Sequence, residues 1–184
     1  MSSIQLKAKA ITDYWRKPPS RDVSDAPKHT SQLSSDAFHK VTVTVSASWT
    51  RLYDQGGLII LLPTSAGGKR FWVKAGIEFV GDRPNLSVVT AREWADWSLH
   101  PLDGDSVKIQ IEREPINAEK GKGSSLFVYV VKDYQREELP VREITWAFEQ
   151  EGEIEVGVYA ARPTKLKEGD EDELVVNFGD MAIS

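Results

Sequence analysis

The sequence predicts an all-β protein built as a sandwich or barrel of short strands. Many segments alternate strictly between apolar and polar residues, which is the pattern of a strand with one buried and one solvated face. Turn-forming residues separate most of these segments, and no stretch shows a convincing amphipathic helix period. About ten short strands at a spacing of roughly 10–15 residues fit two paired sheets best, because paired sheets bury one face of each alternating strand.

The strands are predicted in order along the chain. In residues 41–49, valine, alanine and tryptophan alternate with threonine and serine, and residues 58–62 form an apolar run that suits a central strand. The alternation returns over residues 71–79 and again over residues 107–113. Four later strands are predicted over residues 126–132, 143–148, 154–161 and 174–178. One helical turn is predicted near residues 137–139.

The length of 184 residues suits a single domain that spans residues 1–184. No internal repeat or low-complexity tract divides the chain. Residues 16–37 are rich in proline, serine and aspartate, and they include Pro18, Pro19 and Pro27. This composition predicts an irregular segment that wraps the domain.

The composition excludes several classes of function. Without cysteine, the chain has neither a disulfide framework nor a thiolate site. A net charge of −5 argues against nucleic-acid binding, which needs a basic face. The three histidines are scattered, so we expect no metal site and no cofactor. The N-terminus lacks a signal sequence and the longest apolar run is too short to span a bilayer, which predicts a cytoplasmic protein that does not contact membranes.

Several motifs occur in one order along residues 53–98. They are Tyr53-Asp54-Gln55-Gly56-Gly57-Leu58, Phe71-Trp72-Val73-Lys74-Ala75-Gly76-Ile77-Glu78-Phe79, Leu86-Ser87-Val88-Val89-Thr90 and Ala95-Asp96-Trp97-Ser98. This set resembles the regulation-of-enolase protein family, a domain of unknown function in the concanavalin A-like lectin and glucanase superfamily. The opening Thr12-Asp13-Tyr14-Trp15 and residues 156–163 also resemble it, so the resemblance runs from about residue 12 to the end. Ala95 stands where the family usually has serine.

The resemblance implies a concanavalin A-like jelly-roll sandwich of two antiparallel sheets, one of which is concave. In related folds the concave face carries carbohydrate binding or glycosidase chemistry. The family name implies a link to the regulation of enolase, and therefore a protein partner. Fold analogy alone does not establish function, which depends on the individual residues of the site.

The polar face of residues 71–79 is the first candidate site. Trp72, Lys74 and Glu78 lie on the opposite parity from the apolar residues, so they are predicted to face away from the main core. A tryptophan beside charged residues can stack on a sugar while the charges bond its hydroxyl groups, and Gly76 would let a ligand approach the backbone. The alternative is a surface face with a cross-strand ion pair, in which Gly76 marks a bulge.

Three further residues are predicted to border the same face. Gln55 precedes two glycines and would offer an amide to a ligand, with Tyr53 beside it; a turn or bulge residue is the alternative. Trp97 forms either the wall of a pocket or one end of the sandwich.

Arg113 and Asp96 could belong to the site or to the scaffold. Arg113 shares parity with the apolar residues of its strand, so either it is buried beside Glu78 or Asp96, or it extends to solvent at the strand end. If Asp96 does not pair with Arg113, its side chain is predicted to cap a turn.

Glycoside hydrolysis is predicted to be absent. Related glycosidases place two carboxylates on one strand, two or four residues apart, and retention needs carboxyl groups about 5–5.5 Å apart. Here the strand offers only Glu78, because positions 76 and 80 are glycine and valine.

Three hypotheses for function remain. The favoured one is a non-catalytic, lectin-like binding domain for a carbohydrate or small metabolite, with a groove lined by Tyr53, Gln55, Trp72, Lys74, Glu78 and Trp97. The second is a protein-interaction module that regulates a metabolic enzyme such as enolase. The third is a small-molecule isomerase or lyase in which Lys74 or Glu78 acts as the base.

Overall fold

The structure is a computed structural model that describes residues 3–64, 67–115, 121, 123–133, 135–165, 167–168 and 171–184. The described residues form fifteen β-strands and one short 3-10 helix, Ser35–Ala37. The strands are β1 Ile4–Ala8, β2 Tyr14–Lys17, β3 Arg21–Ser24, β4 Lys28–Ser34, β5 Lys40–Ala47, β6 Gln55–Thr64, β7 Arg70–Val80, β8 Arg83–Ala91, β9 Ala95–Pro101, β10 Ser106–Arg113, β11 Leu126–Lys132, β12 Gln135–Arg136, β13 Arg142–Ile144, β14 Glu153–Ala161 and β15 Leu174–Ile183.

Two large antiparallel sheets form the sandwich, which confirms the predicted fold class. The six-stranded sheet has the order β4-β14-β6-β7-β8-β9, and the seven-stranded sheet has the order β1-β15-β5-β10-β11-β12, with β13 paired to β11. The main core lies between the sheets. It takes the alternating valines of β5 from one side and residues such as Leu58 and Ile60 of β6 from the other.

The outer face of the six-stranded sheet, which points away from the main core, is also largely covered. The hairpin of β2 and β3 lies across it, and Tyr14 of the hairpin packs edge-on against Trp72 and Tyr159 of the sheet. These rings belong to a second, smaller core on that face. Arg16 fixes the hairpin by donating hydrogen bonds to the carbonyl groups of Arg70 and Arg92, both at 3.0 Å.

Residues 16–37 differ from the irregular segment that was predicted. They contain the end of β2, the strands β3 and β4, and the 3-10 helix. Pro18 and Pro19 lie in the turn of the hairpin, and Pro27 precedes β4, an edge strand of the six-stranded sheet. Proline is compatible with turns and strand starts, so it marked the ends of these strands and not a lack of structure.

The helical turn predicted near residues 137–139 is absent from the described residues there, where the chain bends instead. The short helix lies at Ser35–Ala37, because the Ser34 side chain accepts a hydrogen bond from the Asp36 backbone N–H and caps it. No helix in the described ranges is long and apolar enough to cross a membrane. The cytoplasmic location stays a prediction.

Candidate functional site

A cavity of about 570 Å³ opens on the outer face of the six-stranded sheet, beside the hairpin. Its volume falls within the roughly 300–1,000 Å³ of sites that hold small molecules. Five of the six predicted site residues line it, namely Tyr53, Gln55, Lys74, Glu78 and Trp97. These five residues come from three strands, β6, β7 and β9, and from the loop before β6.

The strand register explains why the sheet is hollow at this point. Gln55 of β6 pairs with Glu78 of β7, and the next residues on the same face are the directly opposed pair Gly57 and Gly76. Ser87 of β8 continues this row of small residues. Because the row carries almost no side-chain volume, the larger residues on either side of it can converge above the backbone.

Lys74 is a buried cation, with 2% of its surface exposed. Its Nζ donates a hydrogen bond to Gln55 Oε1 at 2.5 Å, and Asp13 Oδ1 lies 3.8 Å away. The ring centroids of Trp72 and Tyr159 each lie 5.6 Å from Nζ. Burial lowers the pKa of Lys74, an effect that the carboxylate of Asp13 opposes.

Gln55 connects the cluster to the scaffold. The Tyr159 hydroxyl donates to Gln55 Oε1 at 3.2 Å, and Gln55 Nε2 donates to the Tyr53 carbonyl group at 3.2 Å. The amide oxygen thus accepts from both Lys74 and Tyr159, which fixes its orientation. The alternative of a turn or bulge residue is wrong for Gln55, because it is the first residue of β6, is buried, and pairs in register with Glu78.

Glu78 is a buried carboxyl group on the same face. Ser87 Oγ and Trp97 Nε1 both donate to its Oε2, at 2.8 and 3.0 Å. Burial raises the pKa of Glu78, and Lys74 and the two hydrogen bonds counter part of that rise. Buried acids and bases whose pKa values move toward neutrality are typical of functional sites.

Asp13 is a second carboxylate in the cavity, and sequence reasoning did not select it as a site residue. It lies just before β2 and enters the cavity from the hairpin. Its Oδ1 atom is buried and has no hydrogen-bond partner among the described residues. Burial raises the pKa of Asp13, and the nearby charge of Lys74 lowers it.

Aromatic rings form one side of the cavity. Trp97 contacts Trp15 and Tyr53 in edge-to-face geometry, with ring centroids 6.2 and 6.4 Å apart. Trp97 and Tyr53 are both more than one-third exposed, so their rings are available to a ligand. Trp15 was missed because its exposure depends on the hairpin, which the sequence did not reveal.

Trp72 occupies a different position from the other predicted site residues. It faces away from the main core, as predicted, but it is 2% exposed because Tyr14 of the hairpin packs on it. Its indole stands beside Lys74 and below the cavity, where no ring face is open to a ligand. Trp72 therefore cannot stack on a ligand in this arrangement, because its ring faces are covered.

Two cationic residues stand at the exposed edge of the cavity. Lys17 and Arg21 are directly opposed partners in the hairpin register, and both line the cavity. Arg21 Nη2 lies 3.8 Å from Asp13 Oδ2, which is an ion-pair distance without a short hydrogen bond. The site therefore changes from buried polar groups to exposed positive charge.

A buried ion pair holds the loop that carries Tyr53. Arg162 donates to both carboxylate oxygens of Asp54, each at 2.8 Å, and also to Asp172 at 2.8 Å. Asp54 in turn accepts from the backbone N–H groups of Thr50 and Arg51. Since Asp54 precedes Gln55, this pair positions the start of β6 and hence the polar cluster.

The structure corrects the predicted carboxylate partners of Arg113. Its guanidinium donates to the carbonyl groups of Ser35 and Gly123 and stacks on Phe148, with its central carbon 4.1 Å from the ring centroid. Asp96 accepts from Arg142 at 2.5 Å instead. Of the two alternatives predicted for Arg113, a place beside Glu78 or Asp96 is wrong because β10 belongs to the opposite sheet, and extension to solvent is wrong because the side chain is buried.

The structure also gives Gly76 a different role from the one predicted. A Cβ atom there would lie 2.0 Å from the Gly56 carbonyl oxygen. The glycine is thus required by the approach of β6 and not by a ligand. In the described part of the chain, no group of three or more histidine, aspartate or glutamate side chains is arranged to hold a metal ion.

The missed residues lie in segments that the sequence had marked for another reason. Asp13 and Trp15 belong to the opening Thr12–Trp15 motif, and Tyr159 and Arg162 belong to residues 156–163. Both segments carried the family resemblance. The polar residues within these two motifs were the signal that could have indicated that both segments contribute to the site.

Comparison with known proteins places the chain in a family. The model of the family described as "Protein of unknown function (DUF1349)" matches residues 1–184. The chain belongs to this family. The DUF1349 chain is also 42% identical, over 99% of its length and 86% of the relative's, to an uncharacterized protein of Emericella nidulans.

A weaker relative carries the predicted family name. Regulation of enolase protein 1 of Saccharomyces cerevisiae is 28% identical over 103 residues, which cover 56% of this DUF1349 chain and 49% of that protein. The expected resemblance is thereby confirmed.

Solved structures confirm the fold. A functionally unknown Saccharomyces cerevisiae protein matches 99% of the chain and 87% of its own, with a TM-score of 0.76 and 22% identity. An alginate lyase of Pseudomonas aeruginosa aligns with 98% of this chain over 81% of its own length, with a TM-score of 0.56 and 12% identity. At these identities the likeness shows the jelly-roll architecture alone.

Proposed function

We propose that the cavity is a lectin-like binding site for a small polyhydroxylated ligand of the carbohydrate class. The observation that carries this proposal is the cluster of buried polar groups that opens into a cavity beside exposed aromatic rings. Lys74 and Gln55 can donate hydrogen bonds, while Glu78 and Asp13 can accept them. A sugar hydroxyl group does both, so a ring of hydroxyl groups matches this mixture of donors and acceptors.

The aromatic side supplies the other half of sugar recognition. Sugar rings present C–H groups on their faces, and these pack on aromatic rings while hydroxyl groups bond to polar side chains. Trp97 stands between the two kinds of contact, because its indole N–H bonds to Glu78 while its ring is partly exposed. In this proposal Trp72 acts from below, through a cation–π contact with Lys74, and not by stacking.

Calorimetric titration with neutral and acidic mono- and disaccharides tests the proposal. Trp97→Ala and Glu78→Gln are each expected to weaken the best ligand about tenfold or more, since each removes a contact of about 1–3 kcal/mol. Trp94→Ala is the matched control, because Trp94 lies in the bend before β9 and does not line the cavity. Unchanged affinity in both variants, or no binding across the panel, would contradict the proposal.

A second candidate function, proton transfer on the bound ligand, rests on the burial of Lys74, Asp13 and Glu78 in one cavity. Solvated charges suffice for binding, whereas buried acids and bases are typical of general acid–base catalysis. In this hypothesis neutral Lys74 takes a proton from a carbon next to a carbonyl group of the ligand, and the same site returns a proton to that carbon.

Proton NMR in D₂O tests this reaction. Catalysis predicts deuterium exchange into aldoses, ketoses or sugar acids faster than in buffer, and loss of that exchange in Lys74→Met. If wild-type protein binds a sugar without any exchange above the buffer rate, the site is a binding site alone.

The name of the yeast relative suggests a third candidate function, interaction with another protein. That name concerns the regulation of enolase, and it comes to this chain only as an alternative proposal. Titration of the protein with purified enolase tests it, and a complex that survives Trp97→Ala would place the interface outside the cavity.

A further inference from the structure

We infer that the ligand is an acidic sugar, in which hydroxyl groups bond to Asp13 and Glu78 while a single anionic group binds Lys17 and Arg21. The inference rests on the proposed function and specifies its ligand class. The shared chemistry is a sugar with one anionic substituent, whether carboxylate or phosphate.

The buried end of the cavity presents carboxylate oxygens, which accept hydrogen bonds from donor groups of a ligand. Asp13 lines the cavity; its Oδ1 atom is fully buried 3.8 Å from Lys74 Nζ, whereas its Oδ2 atom lies 3.8 Å from Arg21 Nη2, which stands at the exposed edge. Neither distance is that of a hydrogen bond, so the carboxylate can still accept one, and a ligand hydroxyl group is assigned to Oδ2. The hydrogen bonds described for Glu78 both end on Oε2, which leaves Oε1 for a second hydroxyl group.

The exposed end of the cavity presents two cations, which favour binding of an anion. Lys17 and Arg21 face each other directly across the two strands of the hairpin, so their side chains project from the same side of it. Like charges in directly opposed positions are destabilising. A carboxylate or phosphate between them would relieve the repulsion and accept charge-assisted hydrogen bonds from both.

The charge balance of the cavity agrees with this assignment. Among the described lining residues, the cations Lys17, Arg21 and Lys74 outnumber the acids Asp13 and Glu78. Burial raises the pKa of both acids and lowers the pKa of Lys74, so it moves all three buried groups toward neutrality and leaves Lys17 and Arg21 as the exposed charges. The chain as a whole carries −5, so this local positive excess runs against the overall charge.

Matched sugar pairs test the inference by calorimetry at low salt. Glucuronate is compared with glucose, and galacturonate with galactose, because each pair differs only at the acidic carbon. At least one acid is expected to bind about tenfold more tightly than its neutral partner, the gain of one charge-assisted hydrogen bond. Because the cations are exposed, the gain should shrink at 0.5 M NaCl.

Charge variants assign the gain to the hairpin. Lys17→Gln/Arg21→Gln should lose the preference for the acid and keep the affinity for the neutral sugar, while Lys17→Arg/Arg21→Lys should retain the preference. The control Lys7→Gln/Lys40→Gln removes two exposed charges from the seven-stranded sheet and should change neither affinity.

The outcomes are distinguishable. Equal affinity for acid and neutral sugar, or a preference that survives loss of both hairpin cations, would overturn the inference and leave the proposed function standing. Failure of every sugar to bind would remove the proposed function and this inference together. Glucose 6-phosphate is the additional probe: a larger gain than for glucuronate supports the inference with phosphate as the anion, and a smaller gain supports it with carboxylate.

Discussion

Gly76→Ala is expected to lower the free energy of unfolding by at least about 3 kcal/mol, or to prevent folding. Gly76 and Gly57 are directly opposed in β7 and β6, at the centre of the six-stranded sheet. An added Cβ atom would lie 2.0 Å from the Gly56 carbonyl oxygen and 2.7 Å from the Gly57 Cα atom. These are backbone atoms of a paired strand, so the clash cannot be relieved by rotation of a side chain.

Urea unfolding of the variant and of Gly104→Ala measures the effect. Gly104 has a φ of +88°, but a Cβ atom there would meet nothing within 4 Å. Its replacement should therefore cost only the backbone strain of about 1 kcal/mol. If Gly76→Ala is as stable as Gly104→Ala, the strands do not approach as described and the hollow below the cavity needs another explanation.

Arg162→Met is expected to lower the free energy of unfolding by about 3–5 kcal/mol, the range found when one member of a buried ion pair is removed. Asp54 is 0% exposed and Arg162 is 2% exposed, so the substitution leaves a buried carboxylate without its two strongest hydrogen bonds. The same change should loosen the loop of Tyr53 and weaken ligand binding.

Arg142→Met provides the matched control. Arg142 pairs with Asp96 at 2.5 Å, but that aspartate is 68% exposed, and exposed pairs contribute only about 0–1 kcal/mol. Combining Arg162→Met with Asp54→Leu should restore part of the lost stability, because no buried charge is then left unpaired. A cost below about 1 kcal/mol for Arg162→Met would show that the buried pair does not hold the loop.

Local alternation predicted the scaffold well. Strands form over residues 41–47 of the predicted 41–49 and over all of 71–79, and the opposite parity of Lys74 and Glu78 placed both on the face that carries the cavity. This works because side chains of a strand alternate between two faces, so parity alone separates core residues from the rest. The family resemblance then identified which pairing of sheets these strands adopt.

Contacts between distant segments could not be predicted in the same way. Asp13 reaches Lys74 across 61 positions only because the hairpin folds over the sheet, and nothing in the local pattern indicates that cover. The burial of Trp72 has the same cause. Arg113 was predicted either beside a carboxylate or in solvent, but backbone carbonyl groups accept its hydrogen bonds, and backbone acceptors leave no signal in a sequence.

The indole N–H signals in a ¹H–¹⁵N NMR spectrum test the central claim most directly, because the six tryptophans report on different parts of the molecule. Trp97 and Trp15 line the cavity, whereas Trp49 bonds to the Asp105 carbonyl group elsewhere. On titration with the sugar panel, the Trp97 and Trp15 signals are expected to move in a saturable manner while the Trp49 signal stays fixed. If neither cavity signal moves with any sugar, or if only the signals of tryptophans outside the cavity move, the cavity is not a sugar-binding site.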